Sequence, residues 1–181
     1  MGQRLTVDIL ENGSRIAIVY YHWSAYFDST IYELESLKND IVSAKASGND
    51  ILLTIIYGLE KRGGGLGLDS RSRDMAKKKW PDRTFKIDIN RNDGLIFIDE
   101  QDIKETYDMN EGTASIDIVT EEVITDVDLE CGLHYDMKDL PCDPFKVMSF
   151  EELEKVYLYI DTVYKNLRVI QKAGKADDYI V

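Results

Sequence analysis

Leu5-Thr6-Val7-Asp8-Ile9-Leu10-Glu11-Asn12-Gly13-Ser14-Arg15-Ile16-Ala17-Ile18-Val19-Tyr20-Tyr21 is the stretch that decides the fold class. Leu5, Val7 and Ile9 alternate with polar residues, the period of a strand with one buried face. Asn12-Gly13 then supplies two residues that tolerate positive φ, as a two-residue hairpin turn requires. The returning strand, Ile16 to Trp23, is apolar or aromatic on both faces, which places it inside a sheet and not at its margin. The chain therefore opens as a β-hairpin with one strand destined for the sheet interior.

Downstream of this hairpin, Thr30 and Glu33 have the spacing of a capping box, and Ile31, Leu34, Leu37 and Ile41 form one helical stripe that Gly48-Asn49 ends. A second helix over 50–61 is apolar nearly all round and is expected to be buried against the sheet. The glycines of 63–67 read as a flexible loop, followed by a short basic helix from Ser72 to Lys79 that stops before Trp80-Pro81. Phe85, Ile87 and Ile89 alternate as a strand, and Asn92-Asp93-Gly94 turns the chain into another at 95–98. A short helix over 99–107 and strands over 114–119 and 123–129 follow. Ser149 and Glu152 make a second capping box ahead of a long helix striped by Leu153, Val156, Tyr157, Ile160, Val163, Tyr164, Leu167 and Ile170. The expected architecture is a single α+β domain over 1–173. It has a largely antiparallel sheet of about six strands and four to five helices, the last of them long, and a polar tail over 174–181. Strand order is not decided by these patterns.

The charge is segregated. Residues 99–143 hold fifteen Asp/Glu and two Lys, a balance of −13 in a chain whose net charge is −12. Residues 61–91 hold ten Lys/Arg against four Asp. With 44% hydrophobic residues the chain is a packed globule and not a disordered acidic tail. An acidic surface can occupy a site built for nucleic acid, and a basic glycine-rich stretch can hold phosphates. The first reading makes Asp117, Glu121, Glu122, Asp126, Asp128 and Glu130 a partner-binding surface. The second makes Lys61, Arg62, Arg71, Arg73, Lys77, Lys78 and Lys79 a phosphate-binding segment, although no Walker loop is present.

Candidate chemistry is sparse. Tyr20 to Tyr26 is the densest aromatic cluster; within it His22 and Ser24 are candidates for an acid/base and nucleophile pair, weighed against plain packing, which the sequence favours. Asp99 and Glu100, with the other close carboxylates, have the residue types of a metal-dependent phosphodiesterase; a solvated strand face reads the same way. Cys131, His134 and Cys142 fall one ligand short of a closed zinc site, so no bound metal or cofactor is expected beyond weak Mg²⁺ on the acidic run. Two cysteines, no signal peptide and no apolar run near membrane-spanning length place the protein in the cytoplasm. Met1-Gly2-Gln3-Arg4-Leu5-Thr6 fits a myristoylation pattern, but a strand starting at Leu5 leaves no free arm for it.

Met1-Gly2-Gln3-Arg4-Leu5, Tyr20-Tyr21-His22-Trp23-Ser24-Ala25-Tyr26 and Asn90-Arg91-Asn92-Asp93-Gly94-Leu95-Ile96 together resemble a family of small phage and prophage proteins of Gram-positive bacteria, over most of residues 1–130. Some proteins of this size and acidity from such elements are type II anti-CRISPRs, inhibitors of Cas9. The resemblance implies a protein of the bacterial host cytoplasm that binds Cas9 or its guide-RNA complex, and it carries over no catalytic residues. The rival expectation is a phosphodiesterase or ribonuclease acting on guide RNA or another nucleic acid.

Overall fold

A computed structural model of the chain describes residues 4–21, 24–62, 64–68, 95–99, 112–129 and 133–177. The hairpin forms where the sequence places it. Strand β1 (Leu5–Glu11) pairs antiparallel with β2 (Ser14–Tyr21) around Asn12 and Gly13, whose φ values of 51° and 79° are those of the two-residue turn. Helices α1 (Phe27–Ser47) and α2 (Ile51–Arg62) follow, then β3 (Gly64–Leu68), β4 (Leu95–Asp99), β5 (Gly112–Asp117), β6 (Glu122–Val127), the two-residue β7 (Met148–Ser149) and helix α3 (Phe150–Asp177).

The fold is α+β, and the sheet is mixed. Its order is β4-β3-β2-β1-β5-β6-β7, with β1 and β5 parallel and β3 and β4 parallel. The five strands whose side chains are described, β2-β1-β5-β6-β7, form a mixed sheet themselves. This corrects the largely antiparallel expectation: the segments between β2 and β5 carry the chain back to lie beside β1 in the same direction, a connection no local turn signal reveals. Three α-helices lie among the described residues, fewer than the four to five expected. The expected elements over 72–79, 85–89 and 99–107 lie outside the described residues.

Glycine-rich 64–68, expected to loop, is a strand antiparallel to β2. A ladder needs only backbone N–H and C=O groups, and the open edge of β2 supplies their partners. This also gives β2 its interior position, between β1 and β3.

One sheet face carries the core. Leu5, Val7 and Ile9 of β1, Val19 and Tyr21 of β2, Ile116 of β5 and Val123 of β6 are buried with Ile31, Leu34, Leu37 and Ile41 of α1 and Leu153, Val156 and Ile160 of α3. Helix α2 packs on α1 and meets β3 and β4, burying Ile55, Ile56 and Leu59 and leaving Tyr57 about half exposed. Helix α3 buries Leu153, Val156 and Ile160 of its expected stripe and runs to Asp177, past Gly174 where a tail was expected.

The two capping boxes diverge. At α3 the box forms reciprocally: the Ser149 N–H donates to Glu152 Oε2 (2.8 Å) and the Glu152 N–H to Ser149 Oγ (3.2 Å). At α1 the helix starts four residues earlier, with Tyr26 and not Thr30 at the cap position, because the Phe27 N–H donates to Asp128 O and draws the first turn onto the end of β6. Thr30 then lies inside the helix, and its hydroxyl donates to Ser24 O (2.7 Å). Glu33 is left free of a capping role.

Candidate functional site

Strand β6 alternates strictly. Val123, Thr125 and Val127 face the core, and Glu122, Ile124 and Asp126 face outward. Asp128 continues the outward register and is exposed, its carbonyl held by Phe27. Thr125 Oγ1 donates to Pro144 O (2.8 Å), pinning the 143–147 loop along the core side of the strand. Glu122, Asp126 and Asp128 are therefore presented on one face.

Two of the other acidic candidates have internal duties. Glu121 sits at φ 59° in the turn before β6, its carboxylate paired with Lys45 Nζ (2.6 Å) and its carbonyl accepting from Phe150 N (3.1 Å). Asp117 is buried. Its carboxylate accepts from the N–H groups of Asn12 (3.3 Å), Gly13 (2.7 Å), Val119 (2.8 Å) and Thr120 (3.1 Å). Burial by itself would raise its pKa; the four N–H groups outweigh that and hold the carboxyl below its ordinary value. The expectation that Asp117 belongs to a partner surface is thus corrected: it ties the β1–β2 turn to the β5–β6 turn. Glu130 lies outside the described residues.

Of the basic segment, Lys61 and Arg62 end α2. Lys61 is exposed. The Arg62 guanidinium donates to both carboxylate oxygens of Asp40 (2.7 and 3.4 Å), so its fork is occupied within the fold and is not the open phosphate ligand the sequence reading made it. Gly58 makes this pair possible, since a Cβ there would lie 2.2 Å from Asp40 Oδ2. Arg71, Arg73, Lys77, Lys78 and Lys79 lie outside the described residues, as do His22, Trp23, Glu100 and Cys131. Asp99 ends β4, with its side chain undescribed. His134 is exposed and meets the Tyr164 ring edge-on at 5.8 Å, while Cys142 is a half-buried free thiol. Among the described residues no three His, Cys, Asp or Glu side chains are grouped to hold a metal ion.

A second feature lies between α1 and α3. A cleft of about 370 Å³ is bounded by Ser24, Asp28, Tyr32 and Glu33 on one side and by Tyr164 and Arg168 on the other. Asp28, buried in the first turn of α1, accepts from the hydroxyls of Tyr164 (2.5 Å) and Tyr135. Tyr32 donates to Asp161 (3.3 Å) and packs edge-on against Tyr157, with ring centroids 5.1 Å apart. Burial raises the Tyr32 hydroxyl to about 12, helped by the Asp161 carboxylate. Ser24 Oγ donates to Glu33 Oε1 (3.1 Å). Burial pushes the Glu33 carboxyl up, against the Ser24 hydrogen bond and the nearby Arg62 charge. Ser24 is thus the one aromatic-cluster candidate placed here, beside Glu33. The sequence reading missed Asp28, Tyr135 and Arg168 as site residues. Their signal was the tyrosines in the α3 stripe, whose hydroxyls need acceptors once the rings are packed between helices.

Comparison with protein-family models, curated proteins and solved structures finds no match to this chain. Among the described residues no helix is long and apolar enough to cross a membrane.

Proposed function

We propose that the chain is a binding protein of the type II anti-CRISPR kind, whose acidic sheet face occupies a basic nucleic-acid channel of Cas9 in the bacterial cytoplasm. The observation that carries this reading is the outward register of β6: Glu122, Asp126 and Asp128 are exposed on one face, around a half-exposed Ile124. A row of carboxylates on a rigid strand presents fixed negative charge at phosphate-like density, and the apolar centre adds contact area a polyanion lacks. Cas9 holds its nucleic acid in strongly positive channels and reads its PAM with arginines, so such a face competes for the same charges. The basic residues Lys61, Arg71, Arg73, Lys77, Lys78 and Lys79 are the complementary element and contact guide-RNA phosphates. The protein acts by occupancy and catalyses nothing.

The test is co-elution with the Cas9–guide RNA complex on a sizing column, with the RNA then run on a gel. A stable complex with intact RNA is the expected outcome; shortened RNA or no co-elution overturns the reading. Replacing Glu122 and Asp126 with Lys should weaken the complex about tenfold or more at low salt and flatten its salt dependence.

A further inference from the structure

Every hydroxyl on the walls of the α1–α3 cleft except that of Ser29 has already donated its hydrogen to a carboxylate of the protein. Ser24 donates to Glu33, Tyr32 to Asp161 and Tyr164 to Asp28. A hydroxyl has one hydrogen, so these three oxygens turn only lone pairs toward the cleft. Glu33 adds a carboxyl, with the buried Tyr21 hydroxyl of β2 behind it. The donors on the lining side chains are Ser29 and Arg168. Arg168 is exposed, and its charge is felt by Asp161.

A cavity lined by acceptors and tyrosine rings, with a carboxyl at its wall, is complementary to a ligand that brings several N–H donors and a positive charge. We infer that this cleft binds an organic cation of the guanidinium or ammonium type, with Glu33 as its anionic partner and the Ser24, Tyr32 and Tyr164 oxygens as its acceptors. The cation is either a free small molecule or the side chain of an arginine or lysine of a protein. This site is separate from the β6 face, and the inference does not rest on Cas9 binding.

Two consequences follow from the charges. Arg168 repels the ligand, so removing it strengthens binding, the opposite of what an anion site would show. Glu33 must ionise to pair with the cation. It faces Tyr21 of β2 and Arg62 of α2 as well as Ser24, and burial holds its carboxyl up. Affinity therefore rises as pH climbs through the range in which Glu33 loses its proton.

The experiment follows the tyrosine ring signals of the full-length protein by NMR during titration with methylguanidinium chloride, against sodium chloride at equal ionic strength. Saturable shifts of Tyr32 and Tyr164 below about 10 mM are expected. Glu33→Gln, which keeps an acceptor for Ser24, should weaken binding about tenfold, and Arg168→Ala should tighten it a few-fold. A blocked Gly-Arg-Gly peptide forms the second arm. If it binds as well as methylguanidinium, the cation comes from a protein side chain; if it is excluded, the cation is a free small molecule; both outcomes support a cation site. Absence of saturable shifts overturns the inference. So does weaker binding by Arg168→Ala, or an Arg168-dependent response to inorganic phosphate. Unchanged ring signals in the unliganded variants show that the fold is kept.

Discussion

Asp117 and Asp126 lie on neighbouring strands and read alike in the sequence, yet they live in opposite environments. Asp117 is 5% exposed and holds four backbone N–H groups from two turns, whereas Asp126 faces outward on β6 and is exposed. The difference is one of geometry, not residue type. Asp117 is the last residue of its strand, where two reversals converge, and the N–H groups of those turns have no partner in a ladder. Asp126 sits mid-strand, where its own backbone pairs with Thr113 and its side chain is exposed. A carboxylate that organises turns contributes to stability; one on a strand face remains available to a partner.

Removing the inward carboxylate should have the largest effect. Asp117→Ala strands turn N–H groups and should cost about 3 kcal/mol in urea unfolding, the sum expected for a buried charged acceptor with several donors. Its pH dependence has a definite sign. The folded pKa lies below the ordinary 3.8, so the stabilisation is complete above that value and is lost as pH falls through the folded pKa. Asp117→Asn should accordingly flatten the acid limb of a stability–pH curve. A wild-type acid limb in that variant would dissolve the contrast with Asp126.

Next in size is Gly112→Ala, at the start of the same strand. Its Cβ would lie 2.8 Å from Val127 Cγ1 and 3.2 Å from Ala25 O, so β5 and the start of α1 must move apart. A loss of about 2 kcal/mol in thermal or urea melts is expected. A neutral substitution would show that the core side of β6 can yield.

The caps give a smaller test of the same distinction between bound and unbound side chains. Ser149→Ala breaks a reciprocal box and should cost about 1 kcal/mol. Glu33→Ala removes no capping bond, and the α1 N-terminus should keep its helicity by amide hydrogen exchange. Smallest of all, Asp126→Ala should change stability by no more than about 0.5 kcal/mol while weakening association with a basic partner. A larger stability loss would mean that the outward face holds the fold together and is not a free surface.

The hairpin, the burial of Leu5, Val7 and Ile9, and the α3 stripe were legible because each rests on a period or a turn carried by adjacent residues. The Ser149–Glu152 box was legible for the same reason. Thr30 and Glu33 carry the same pattern but were misread, because Asp128 offers the Phe27 N–H a tertiary acceptor that starts the helix earlier. Strand β3 was hidden by its glycines, whose weak strand preference is overridden by pairing along β2. Outward exposure of Asp126 and Asp128 followed from period 2, but the cleft did not, since it joins residues more than a hundred positions apart.

By itself, then, the sequence determined the opening hairpin, the core face of β1, α1 and the first half of α3, and the concentration of acid between 99 and 143. These are local properties, dictated by side-chain periodicity and turn chemistry acting over a few residues. Only the tertiary structure decided that β5 runs parallel beside β1, that Asp117 turns inward, and that three hydroxyls near α1 and on α3 donate to carboxylates and leave an acceptor-lined cleft. Those outcomes depend on which distant backbone and side-chain groups meet, and burial makes each meeting obligatory by penalising any polar group left without a partner.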